Sequence, residues 1–180
     1  MDTERALMKR VARRDEGAFA ELVGRYGGRL YAVAHRLLGS RADAEDAVQR
    51  AFLQCFTGAD GYREEWAVST WIYRILSNVC IDELRRRSAR GRREGPPLHE
   101  VPEEALRDHN PGPPGRYLDL RRALLRVPRE ARVLVALRYV DGLSHRELAR
   151  IRGISVNTVK SQLARARSIL RAALAEGGGR

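Results

Sequence analysis

Three observations predict an all-α fold in two small helical domains. Apolar residues recur every three to four positions in segment after segment, and no run alternates apolar and polar residues as a half-buried strand would. Between the two halves, the stretch EGPPLHEVPEEALRDHNPGPPG carries no apolar period and is dense in proline and glycine, which marks a linker. The expected boundaries are a first domain over residues 1–88, a linker over 89–115, a second domain over 116–176 and a tail over 177–180.

The first half opens with a short basic helix expected over residues 3–14, after which Asp15 is placed to cap a helix carrying Phe19, Leu22, Val23 and Tyr26. Gly27-Gly28 is expected to interrupt that helix. A second apolar series, Leu30, Tyr31, Val33, Ala34, Leu37 and Leu38, runs to Gly39, where a helix C-terminus is expected. The glycines at 24, 27 and 28 follow no strand and lack the G-x-G-x-x-G spacing, so they are not a nucleotide-binding fingerprint. Ser40-Arg41-Ala42-Asp43 has the form of a capping box, with Asp43, Glu45 and Asp46 at the positive end of the helix dipole. That helix buries Ala44, Val48, Ala51 and Cys55 and leaves Asp46, Gln49, Arg50 and Leu53 opposite, with Phe56 at the edge. Large apolar groups among polar ones fit either docking to another protein or a second contact inside the domain.

Residues 58–69, GADGYREEWAVS, form a loop carrying Tyr62 and Trp66, and a helix is expected from about Thr70 to Arg87 with Ile72, Ile75, Leu76 and Val79 buried. Trp71, Arg74, Asn78 and Arg85 fall on its other side. An aromatic, an amide and cations in line beside an aromatic loop suit the stacking of unpaired bases and neutralisation of their phosphates, while core packing is the plainer reading of Trp71.

In the second half, Tyr117, Leu120, Leu124 and Leu125 mark one helix; Pro128 begins another with Val133, Leu134, Leu137 and Val140, closed by Asp141-Gly142. The stretch LSHRELARIRGISVNTVKSQLARARSIL, Leu143 to Leu170, then reads as a helix-turn-helix with both starts written out. Ser144 and Glu147 form a capping box with Leu143 and Leu148 as its hydrophobic staple; Gly153 makes the turn; Ile154, Ser155 and Val159 repeat the pattern. At 100° per residue Val156, Val159, Leu163, Ala166 and Leu170 share the buried face. Opposite stand Asn157, Thr158, Ser161, Ala164, Arg165 and Ser168, flanked by Lys160, Arg167 and Arg171. Short polar residues with one arginine between cations suit a helix in a DNA major groove; an ordinary amphipathic helix with a solvated basic face is the alternative.

Composition agrees with a polyanionic partner. The chain has 180 residues and a formal charge of +11 from 34 Lys and Arg against 23 Asp and Glu. Nucleic acid is the first candidate and a membrane surface the second. Apolar runs fall far short of the roughly 20 residues that span a bilayer, and MDTERALMKR lacks the apolar core of a secretion signal, so a cytoplasmic, non-membrane protein is expected. The short tail after Leu174 leads to the expectation that no regulatory domain is appended. Cys55 and Cys80 are distant, and His35, His99, His109 and His145 are scattered, so no disulfide framework, metal site or cofactor is expected. No carboxylate cluster or nucleophile and base pair points to an enzyme.

Both halves together resemble the extracytoplasmic-function group of bacterial RNA polymerase sigma factors, over nearly the whole chain. AFAELVGRYGGRLYAVAHRLLG, DAEDAVQRAF and STWIYRILSNVCIDELRRR are similar to the family's region 2, in the expected order; LLRVPREARVLVALRYVDGLSHRELARIRGISVNTVKSQLARAR is similar to region 4. The resemblance implies that the partners are core RNA polymerase and promoter DNA, with no catalytic residue, and that the free protein is a monomer. Many members also have an anti-sigma factor. It implies polymerase contacts at Asp43, Asp46, Gln49 and Leu53; contacts to the −10 element, one base flipped out, from Tyr62, Trp66, Trp71, Arg74 and Asn78; and contacts to the −35 duplex from Asn157, Thr158, Lys160, Ser161, Ala164 and Arg165. In two places the chain departs from the family pattern. Arg50 stands where the family usually has glutamate, reversing a charge, and Gln162 stands where arginine is common, removing a phosphate contact at the flank of the DNA face. A helix-turn-helix regulator acting without polymerase is the rival reading; it leaves the mixed helix at 41–57 unexplained and calls for a dimer matched to two half-sites.

Overall fold

The computed structural model describes residues 2–93, 120 and 122–177, and every regular element among the described residues is helical. Two compact units make up the chain, one built mainly from residues 1–83 and the other mainly from residues 84–180. The first contains α1 (Asp2–Ala12), α2 (Glu16–Leu38), α3 (Arg41–Thr57), a 3₁₀ turn at Ala59–Gly61, and α4 (Val68–Arg93), which runs on past residue 88, the expected end of the first domain. The rest of the expected linker, with Tyr117, lies outside the described residues.

Helix α1 is more than a basic surface helix: Leu7, Met8 and Val11 are buried. The Tyr26 hydroxyl ties α2 to it by donating to a carboxylate oxygen of Glu4 at 2.7 Å, and burial followed by that acidic partner pushes the phenol above its ordinary range. Asp15 caps α2 as expected, its Oδ1 accepting from the Ala18 N–H at 2.9 Å, with Arg10 2.8 Å from the other carboxylate oxygen. The amide of Ala18 first and then the Arg10 guanidinium hold this carboxyl below its usual value.

Gly27-Gly28 does not break the helix. Helix α2 is continuous over 23 residues, because Ala18, Leu22, Tyr26, Leu30, Val33, Ala34, Leu37 and Leu38 form one unbroken buried row across the glycines. Burial of such side chains contributes about 1.5–3 kcal/mol each for the large ones, against about 1 kcal/mol lost per helical glycine, so tertiary packing overrides propensity here. Gly39, at φ 68°, ends α2 with its N–H bonded to the His35 carbonyl at 2.8 Å.

Ser40 caps α3 through the Asp43 N–H at 3.4 Å. The buried row of α3 is Ala44, Ala47, Ala51, Phe52 and Cys55; Val48, expected inside, is only half-buried. Phe52 turns the helix in this way, meeting Phe19 of α2 edge-on at 6.2 Å, while Phe56 packs on the same ring at 4.8 Å. Arg14, itself at φ 63°, closes the C-terminal end of α3: its guanidinium donates to the Phe56 and Thr57 carbonyls, pairs with Asp60 at 3.4 Å and lies 5.2 Å from the Phe56 ring centroid. Helix α4 starts at Val68 rather than Thr70 and buries Ile72, Tyr73, Leu76, Val79, Cys80 and Ile81, with Ile75 half-buried. Neither Cys55 nor Cys80 forms a disulfide and both are buried, and burial pushes the Cys55 thiol up to about 12.

The second unit holds a helical segment at 122–126 (α5), then α6 (Arg129–Val140), α7 (His145–Arg152) and α8 (Val156–Gly177). Val127, Ala131 and Ala166 form a core cluster lined by Val135, Ile169 and Leu170, and Val133, Leu134, Leu137, Leu148, Val159 and Leu163 are buried. Two expected core residues lie outside. Leu125 is 64% exposed because α5 turns Ala123 and Val127 inward, and Val140 is 37% exposed because it is the last residue of α6, where the chain leaves through Asp141 and Gly142 at φ 71°. Half-buried Arg132 donates to the carbonyls of Leu125 at 3.2 Å and Val127 at 3.1 Å, closing α5, and desolvation lowers its pKa.

A Cβ at Gly24 or Gly28 meets nothing within 4 Å. Gly24→Ala and Gly28→Ala should therefore each stabilise the chain by about 1 kcal/mol in urea unfolding, since only the helical cost of glycine is removed. Because the Asp15 carboxyl is held below its ordinary value, its contribution is present at neutral pH and lost as pH falls through that lowered value; Asp15→Asn should flatten the acid limb of a stability profile.

Candidate protein and nucleic-acid interfaces

The alanine row of α3 points its other face to solvent. Asp46 and Gln49 are exposed, Leu53 is 61% exposed, and Asp43, whose N–H serves the cap, is half-buried. These four expected contact residues thus share one surface, an apolar side chain flanked by two carboxylates and an amide. Phe56 at its edge is taken up by Phe19, so an internal contact explains the phenylalanine and leaves Leu53 uncovered among the described residues. Arg50 lies 3.2 Å from Asp46 and 3.8 Å from Glu83 of α4. The sequence reading did not single out Glu83; a charged residue at the margin of an apolar stripe gives no signal until the facing helix is known.

Tyr62, Trp66, Trp71 and Arg74 come together at the junction of the loop and α4. The Tyr62 hydroxyl donates to the Trp66 carbonyl at 2.6 Å, its ring meets Trp71 edge-on at 5.6 Å, and Arg74 lies 5.2 Å from the Trp66 ring centroid. Desolvation raises the Tyr62 phenol. Both tryptophans are half-buried, each anchored on one side, and the core stripe passes through Ile72 and Tyr73 instead. Asn78 is exposed one turn beyond Arg74 on the same helix. Lys9 of α1 pairs with Glu64 at 3.0 Å and Arg14 holds Asp60, so the loop is fastened on the α1 side by two residues whose roles local sequence did not reveal.

In the second unit both expected helix starts are formed. The Ser144 N–H donates to Glu147 at 2.7 Å and the Glu147 N–H to Ser144 Oγ at 3.3 Å; Gly153 sits at φ 63°; Ser155 Oγ accepts from the Thr158 N–H at 3.0 Å. Of the outward face of α8, Asn157, Lys160, Ser161, Ala164 and Arg165 are exposed and Thr158 is half-buried. The first-turn hydroxyls are engaged locally: Thr158 shares a hydrogen bond with Ser155 at 2.8 Å, and Ser161 donates to the Thr158 carbonyl at 3.0 Å. An amide, an ammonium and a guanidinium are therefore the strongest donors this face offers. Gln162, expected at the flank of this face, is half-buried and lines a depression with Pro128, Glu130, Ala131, Arg165 and Ala166.

Among the described residues no group of histidine, cysteine and acidic side chains is arranged to hold a metal, and no helix is long and apolar enough to cross a membrane.

The family model described as Sigma-70 region 2 matches residues 22–90, and that described as Sigma-70, region 4 matches residues 117–170. The ECF RNA polymerase sigma factor SigW of Bacillus subtilis is 30% identical over 178 residues, covering 91% of this chain and 92% of its own. The chain belongs to the extracytoplasmic-function group of sigma-70 factors. The ECF sigma-70 chain is also 36% identical over 156 residues to SigM of Mycobacterium tuberculosis, covering 87% of this chain and 76% of SigM, and 33% identical over 182 residues to the sigma-E factor of Escherichia coli, covering 93% and 92%. Among solved structures, CnrH in complex with the cytosolic domain of CnrY matches this ECF factor with a TM-score of 0.71 and 25% identity, over 96% of this chain and 97% of CnrH. RpoE from Bartonella quintana, solved with the anti-sigma factor NepR, shares the fold at a TM-score of 0.68 and 24% identity, over 87% and 96%. The region 2 match takes in all of α3 and most of α2 and α4, and the region 4 match takes in α6, α7 and most of α8.

Ser155→Ala removes the hydroxyl that caps α8 and should destabilise the chain by about 1 kcal/mol, read as a lower urea midpoint with unchanged slope.

Proposed function

We propose that this ECF factor binds core RNA polymerase through the outward face of α3 and directs promoter-specific initiation by two separate readings of DNA. The observation that carries the proposal is the coexistence, in one chain of the family, of an aromatic and cationic cluster suited to unpaired bases and a capped recognition helix suited to duplex.

At the −10 element, Trp66 and Trp71 are half-buried, Trp66 beside the Arg74 guanidinium and Trp71 against the Tyr62 ring, and Arg74 and Asn78 follow along α4. Stacking on such rings is worth about 1–3 kcal/mol per base. Unstacking a base costs a few kcal/mol, so capture of one or two bases offsets the opening of a step or two without any input of chemical energy. Binding before opening comes from α8: Arg165 is placed to reach a base edge, Lys160 and Asn157 to meet phosphate or base, and Ala164 lets the helix approach closely. On this reading Asp43, Asp46, Gln49 and Leu53 dock on the polymerase, Leu53 supplying the apolar anchor. The factor acts in the cytoplasm and catalyses no step itself; it redirects an enzyme assembled from other subunits. A regulator without polymerase gives the α3 face no role and is not favoured. An anti-sigma partner is a further proposal, in keeping with CnrH, which was solved bound to the cytosolic domain of CnrY.

Run-off transcription with purified core polymerase on genomic fragments tests the function: discrete start sites should appear only when this protein is added. Tight operator binding by the protein alone, indifferent to core, would overturn it. Arg165→Ala should cost about 1–3 kcal/mol of −35 affinity and relax base preference there, whereas equal loss on every sequence would make it a phosphate contact. Trp71→Ala should impair duplex promoters more than pre-melted templates; equal impairment of both would assign Trp71 to the core.

A further inference from the structure

Position 50 carries a cation on the helix whose face is proposed to dock on polymerase. Its Nε lies 3.2 Å from the Asp46 carboxylate, one turn earlier on α3, and its Nη2 lies 3.8 Å from the Glu83 carboxylate on α4. The three side chains differ in exposure: Asp46 is 60% exposed, Arg50 30% and Glu83 13%. Glu83 is thus a mostly covered carboxylate beside the guanidinium, and Asp46 is the most exposed group of the three. The Nε has no aligned hydrogen-bond acceptor, so its attraction to Asp46 is coulombic rather than a directed bond.

We infer that Arg50 is a positioning residue: an internal counter-ion that links α3 to α4 through Glu83 and holds Asp46 outward, so that the docking face stays acidic and fits a basic patch on the polymerase. A planar fork serves two acids at different angles, which a single ammonium does less well. An acid at position 50 would set three carboxylates together and draw Asp46 away from its partner. The charge reversal relative to the usual pattern is therefore absorbed inside the domain instead of being presented to polymerase. The inference rests on the reading of α3 as the docking face.

The test uses the full chain and purified core polymerase, with affinity from fluorescence titration and run-off transcription at varied protein concentration. Arg50→Glu should weaken core binding by about tenfold, in keeping with the cost of placing like charges together. The concentration giving half-maximal transcript should rise while the plateau at saturation is unchanged, and a urea midpoint equal to the wild type's, with binding measured per folded protein, separates this from loss of folded protein. The charge swap Arg50→Glu with Glu83→Arg should recover most of the affinity, and Arg50→Lys should fall between wild type and Arg50→Glu. Equal or tighter binding by Arg50→Glu, or a folded charge-swap variant with no recovery, would overturn the inference while leaving the docking face in place. A wild-type chain that fails to bind core would overturn the docking reading and, with it, this inference.

Discussion

The alanine seam of α3 is the constraint on which the first unit depends. Ala44, Ala47 and Ala51 are fully buried, and side chains this small let α3 lie close against its neighbours, so its rotation about its own axis is fixed by shape. Phe52 and Cys55 complete the seam, and Phe19 receives both Phe52 and Phe56. With that rotation set, Asp46, Gln49 and Leu53 have only solvent to face. An exposed leucine between acidic and amide groups on this helix is the surface proposed to meet polymerase.

The same rigidity extends to the loop that follows. Arg14 closes the last turn of α3 and reaches Asp60, while Lys9 holds Glu64. Individually such exposed pairs contribute little, about 0–1 kcal/mol. Their effect is geometric, since they fasten residues 60 and 64 on either side of Tyr62, just before Trp66. Helix α4 then supplies Trp71 and Arg74 against those rings from a buried backbone, so an aromatic surface is assembled before any nucleic acid arrives. Preorganisation of this kind limits the ordering cost of capturing an unpaired base.

In the second unit, local chemistry does more of the work. Two serine caps, two left-handed glycines and a short turn set the angle between α7 and α8, and the hydroxyls near the start of α8 are spent on its own backbone and cap. In the proposed reading, specific recognition therefore falls to fewer side chains than the polar face first implies, chiefly Arg165 with Asn157 and Lys160 beside it. Gln162 belongs to the junction of α6 and α8, so its departure from the usual arginine bears on packing there before it bears on phosphate.

By itself the sequence determined the helical class, the caps at Asp15, Ser40, Ser144 and Ser155, the helix ends at Gly39 and Gly142, and the outward faces of α3 and α8. All of these are local: a cap needs three residues, a left-handed stop needs one glycine, and a face follows from helical period alone. Only the tertiary structure decided that α2 runs through Gly27 and Gly28, because the row from Leu22 to Leu38 is buried as a unit. It alone turned α3 so that Ala47 and Phe52 were buried ahead of Val48, and left Leu125 outside. Tertiary structure also brought Glu83 to Arg50 and Lys9 to Glu64, pairings between residues far apart in the chain, which no local period encodes. Charge at position 50 was legible from the start; the acids that answer it were not, since a counter-ion is defined by distance in space.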